Sequence, residues 1–193
     1  MHWPDSFSAS SDSYSRASEL ERHEVAGPAQ VELSTDDIRH VTAFAATCAR
    51  RALPIYEMAH PGDARPRSAI EGAEAFAETG HRTAELRRLA WDAHKAAREL
   101  PTSAATDAAL SAMHAAGSVF LHPLYSPHQI KHILGSAVHL VLADPESAAE
   151  QIEWIDAQSD ATVRAVLRRF PPPIAGRTRF GVLMARLDTE LRR

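Results

Sequence analysis

The chain has 193 residues, 45% of them apolar and 24% charged, with a formal net charge of −4. That balance belongs to a soluble globular domain with a sizeable core, and it excludes a nucleic-acid binder that relies on a broadly basic face. The single cysteine, Cys48, excludes an intramolecular disulfide and a cysteine-based zinc site.

No stretch reaches the ~20 apolar residues of a membrane span. The N-terminal "MHWPDSFSASSDSYSRAS" has neither the basic start nor the apolar core of a secretory signal. With the lone thiol, these features place the protein in a reducing cytoplasm. Residues 1–33 are rich in Ser, Asp and Glu without a sustained apolar period, which reads as a disordered tail. Residues 34–193 read as one helical domain, because strand-like alternation is missing and alanine far outweighs β-branched residues.

The first helix starts at "LSTDDI", where Ser34 or Thr35 caps and Asp36 and Asp37 suit the positive end of the helix dipole. Ile38, Val41, Ala45, Cys48, Ala52 and Ile55 form its buried stripe, and Pro54 is expected to kink it or end it early. Cys48 on this stripe reads as an inert buried thiol. After "HPGDARP", a second helix covers Pro66 to Thr79. A third covers Thr83 to Leu100, where Pro101 stops it. The fourth, Thr102 to Leu121, is so rich in alanine and poor in charge that it reads as the central helix. Its Gly117 suggests close approach of a neighbouring backbone.

Ser126 followed by Pro127 is a strong start signal for the fifth helix. Asp144 and Pro145 repeat the pattern for a sixth, which runs to Gln158. A seventh begins at Ser159 and is closed by "PPP" at 171–173, and a last one reaches the C-terminus. The fold class is therefore all-α, a compact single-domain bundle of seven to eight helices without a solenoid repeat.

The fifth helix carries His128, His132 and His139 within about 40° of one another on a regular helix, opposite the core face of Ile130, Ile133, Leu134, Ala137 and Val141. Gly135 shares the histidine stripe. An i, i+4 pair such as His128 and His132 can bridge a divalent metal such as zinc, given a further ligand from His122 or His114. His139, a helical rise of about 10 Å beyond His132, is too far to join them. "HQIKH" also lacks the glutamate of the "HExxH" proteases. Packing or partner contact by neutral imidazoles is the competing reading. His114, alone among apolar neighbours, reads as a core histidine.

A second polar stripe runs along the third helix: Arg87, Trp91, His94 and Arg98 at i, i+4, i+7 and i+11. Two guanidinium groups beside an indole can grip an anion or a carboxylate of a partner. Alternatively, Trp91 packs under a neighbour while the arginines reach for water. No Ser/His/Asp order, phosphate-binding glycine loop or paired-carboxylate motif is present, so no catalytic residue is assigned.

The segments "CARRALPIYEMAHPGDARPRSAIEGAEAF", "LRRLAWDAHKAARE", "HAAGSVFLHPL" and "IKHILGSAVH" together resemble the small, all-helical bacterial Imm-5-like immunity proteins, over about Leu33 to Arg193. Arg65, Pro66 and Arg67 match the family's "RPR", and His132 through Gly135 its histidine-glycine segment. The resemblance implies a cytoplasmic antidote that binds a cognate toxin domain and blocks it without catalysis and without a cofactor. It offers no catalytic residues to carry over, and the charge and hydropathy above point to no membrane and no specific nucleic acid as partner. Two alternatives remain at this level. One is a small helical enzyme or metal- or small-molecule-binding protein with a His-lined cavity between helices three, four and five. The other is a scaffold that forms a homodimer through an alanine-rich surface.

Overall fold

Ser34 sets where the first helix begins. Its hydroxyl accepts from the backbone of Asp37 at 3.0 Å, while the Asp37 carboxylate accepts from the Ser34 backbone at 2.8 Å. This reciprocal cap satisfies two of the N–H groups that a helix start leaves orphaned. In the computed structural model, which describes residues 29–174 and 176–193, α1 then runs from Thr35 to Ala59. The helices that follow are α2 (Arg65–Thr79), α3 (Ala84–Arg98), α4 (Ala104–Ser118), α5 (Ile130–Ala143), α6 (Ala148–Gln158), α7 (Ala161–Arg169) and α8 (Arg179–Leu191). A 3₁₀ turn, Pro127–Gln129, leads into α5. Among the described residues there is no strand, and the domain is all-α.

Of the expected Ser-rich tail, residues 1–28 lie outside the described residues. Residues 29–33 are bonded to the body of the protein. Val31 N donates to Pro123 O at 2.7 Å and Tyr125 N donates to Ala29 O at 2.8 Å, while Val31 and Leu33 pack on the core.

Pro54 does not end α1. The helix continues to Ala59 with Leu53 and Tyr56 fully buried. Burial of those two side chains, about 1.5–3 kcal/mol each, outweighs the roughly 3 kcal/mol that an interior proline costs.

The central helix is α4, which packs against α1, α2, α3 and α5. Ala105, Ala108, Ala109, Ala112, Ala115 and Ala116 are all buried, and small side chains let four neighbours approach one cylinder. Hydroxyls lock the contact. Ser111 Oγ donates to Ser136 on α5 at 2.9 Å, and Ser136 Oγ donates to Ala45 O on α1 at 2.7 Å. Both hydroxyls are thus satisfied across a helix interface rather than left at a cost of roughly 1–3 kcal/mol each.

A second layer, α6 to α8, closes the other side of α5. Ile155, Leu167, Phe170 and Leu187 reach the same core as Ile133, Leu134 and Leu140. Arg169 ties α7 to the start of α1, donating to Asp37 at 2.8 and 3.2 Å and to Glu32 O at 2.9 Å. Helix α6 starts later than its sequence suggests, because Asp144 accepts only a weak 3.4 Å bond from Ser147 and residues 145–147 form a turn.

Candidate functional site

Helices α4 and α5 meet where Gly135 faces His114. A Cβ at Gly135 would lie 2.7 Å from His114 Cγ, so the missing side chain is what admits the ring against the α5 backbone. His114 stacks with His139, ring centroids 5.2 Å apart, and Phe180 of α8 lies 5.0 Å from His139 and 6.1 Å from His114. His139 is buried and its Nδ1 sits 2.8 Å from Asp107 Oδ1 on α4. His132 Nδ1 lies 2.9 Å from Gly117 O. A carbonyl only accepts, so this nitrogen carries the proton.

Burial pushes the pKa of His114 down to about 3, and the neighbouring His139, His132, Lys131 and His94 act in the same direction. Burial also lowers His132, against the opposing pull of the Gly117 carbonyl. Both imidazoles are therefore neutral at neutral pH.

The stripe expected on the fifth helix is divided. His139 is buried and His132 half-buried, while His128 is exposed. The 3₁₀ turn explains the difference: it carries three residues per turn and rotates His128 out of the α-helical register. His122 is exposed as well, with its backbone N–H donating to Gln129 Oε1 at 3.0 Å. Among the described residues, no three His, Cys, Asp or Glu side chains are grouped to hold a metal ion.

On α3 the expected stripe lies on the surface. Trp91 is 64% exposed, and its indole meets His94 edge-on at 5.5 Å. Arg87 and Arg98 are exposed and His94 is half-buried. The Arg87 guanidinium lies over the Phe120 ring at 4.9 Å, with Arg82 over the same ring at 6.0 Å. Trp91 is thus not packed beneath a neighbouring helix.

The "HPGDARPR" segment builds a polar knot. Tyr56 Oη donates to Asp63 at 2.6 Å, Arg65 donates to Asp63 at 2.6 Å, and the same guanidinium donates to Glu99 beyond the end of α3 at 2.6 Å. Arg67 pairs with Glu57 at 2.5 Å. The Arg65 guanidinium holds the Asp63 carboxyl well below the usual carboxylate range, and burial together with Asp63 pushes the Tyr56 phenol up. These groups are spent on one another and fasten the α1–α2 turn to α3.

Residues 32–157 match the family model described as "Imm-5 like putative immunity protein", more than half of the 193-residue chain. The chain belongs to this family. No curated protein and no solved structure gives a significant match. Membership in the Imm-5-like family implies a toxin partner in general. The matched region holds the polar knot, the α3 face and three members of the histidine cluster, but ends before Phe180. Among the described residues, no helix of this Imm-5-like chain is long and apolar enough to cross a membrane.

Sequence reasoning missed Asp107 and Phe180. Asp107 lies 32 positions from His139, and no local spacing links such a pair. Asp63 and Arg65 of the knot fall inside the "HPGDARPR" segment that carries the family's "RPR".

Proposed function

We propose that this immunity-family protein neutralises a cognate toxin domain by covering it, without catalysis and without a cofactor, in the cytoplasm. The observation that carries the reading is the exposure of Trp91, 64%, between Arg87 and Arg98. A solvated indole beside guanidinium groups is the composition of an interface anchor. The remaining candidate groups support it by being occupied. His114 and His139 are stacked on each other, and the knot around Asp63 is closed on itself. A partner seated on the α3 face would bury about 800 Å² of this chain, the share usual in a stable complex.

The test is co-expression in a sensitive bacterium with each toxin domain encoded by the genes that flank this one. The wild-type protein restores growth and co-purifies with the toxin. Trp91→Ala, folded as judged by its melting curve, restores growth poorly. A wild-type protein that neither binds the toxin nor rescues growth overturns the reading.

A further inference from the structure

The charges on and around α3 are unevenly spent. Its acids are all engaged: Glu85 and Asp92 pair with Arg88, and Glu99 pairs with Arg65. Apart from Arg88, its exposed arginines and the neighbouring Arg82 are not. Among the described residues, Arg82, Arg87 and Arg98 make no ion pair with a carboxylate. Two of them are held instead by an aromatic ring, Phe120, beneath Arg87 at 4.9 Å and Arg82 at 6.0 Å. A guanidinium lying on a ring keeps its N–H edge free, in the fork geometry that matches a carboxylate. Trp91 stands in the same stripe, braced edge-on by His94.

This face is therefore cationic on a protein whose net charge is −4. It is also preorganised, because Phe120 and His94 fix the groups that would make contact. A basic, aromatic face selects a partner surface of opposite sign and repels the same face of a second copy of its own chain. We propose that this face receives an acidic segment of the toxin, with carboxylates on Arg82, Arg87 and Arg98 and an apolar side chain against Trp91. The inference rests on the toxin-binding reading above and names the chemistry of the partner. Nucleic acid is the other polyanion that such a face could take. The acidic balance of the whole chain disfavours it, since a phosphate backbone would meet repulsion everywhere outside this stripe.

The test measures binding of the toxin domain that passes the growth-rescue screen to the full-length protein by calorimetry, at about 50 mM and about 500 mM salt. The variants are Arg87→Glu with Arg98→Glu, Trp91→Ala, and Arg186→Glu on α8 as a remote control. The expected result is a loss of about 30-fold or more for the double reversal at low salt, with the salt dependence flattened. Trp91→Ala should lose about tenfold or more at both salt concentrations, and Arg186→Glu should lose nothing. Wild-type binding with the double reversal within about twofold overturns the placement on α3 and leaves the immunity reading standing. Absence of wild-type binding overturns the immunity reading itself. In a parallel titration with a single-stranded DNA oligonucleotide, binding that the same double reversal abolishes would overturn the acidic-protein assignment. The expected result there is no binding.

Discussion

His114 occupies the space that a side chain at Gly135 would fill, its Cγ only 2.7 Å from where a Cβ would stand. Gly135→Ala must therefore move a ring held between α4, His139 and Phe180. Overpacking of this kind costs about 1–3 kcal/mol, read as a lower denaturant midpoint. Gly117 shows the opposite case. A Cβ there meets nothing within 4 Å, so the close backbone approach suggested by its sequence does not occur. Gly117→Ala should stabilise the protein by about 0.4–1 kcal/mol. Equal effects of the two substitutions would refute the assignment.

Acid should weaken the fold through His114. Its folded pKa of about 3 lies below its value of roughly 6.5 in an unfolded chain. The folded state then binds fewer protons, so the stability contribution is full above pH ~6.5 and is lost as pH falls toward about 3. The slope from this residue reaches at most about 1.4 kcal/mol per pH unit. Urea midpoints collected between pH 7 and 4 should fall, and His114→Phe should flatten that fall.

Asp63 accepts from both Tyr56 and Arg65. Asp63→Ala leaves a phenol and a guanidinium without their acceptor, at about 1–3 kcal/mol. The depressed carboxyl pKa means that its contribution is present above pH ~4 and lost on further acidification. A melting temperature unchanged in Asp63→Ala would show that the knot is not structural.

Trp91→Ala should leave stability within about 0.5 kcal/mol of wild type, since the indole is mostly solvated. A large drop in the thermal midpoint would mean that Trp91 is structural and would remove the ground for placing a partner there.

Cys48 is fully buried and its thiol is pushed well above its ordinary pKa by burial. A thiol reagent should label it only on unfolding. Rapid labelling of the native protein would contradict the position of Cys48 in the core of α1.

The helices themselves were legible because each carries its own signal. Ser34 with Asp37 marks the start of α1, Ser126 with Pro127 the approach to α5, and the alanines of α4 its central place. Pro54 does not end its helix because a local preference worth a few kcal/mol yields to packing, visible here in buried Tyr56. The α3 stripe could be read as a set but not as exposed, because exposure depends on which faces the neighbouring helices cover. The histidine cluster is tertiary in the same way. Its two decisive contacts, Asp107 with His139 and Phe180 with both rings, join residues whose separation in sequence carries no period.

The place of α8 also bears on how the protein is made. Synthesis delivers α1 to α5 first, and the apolar side of α5 that Leu187 and Phe180 later cover is then open to water. A nascent chain paused or cut near residue 157 would lack Leu167, Leu187 and Leu191, which complete the core shared with Ile133, Leu134 and Leu140. Such chains are the ones that chaperones retain and proteases remove. Correct folding would therefore depend on translation continuing through α8, and a premature stop late in the gene would leave the shared core incomplete.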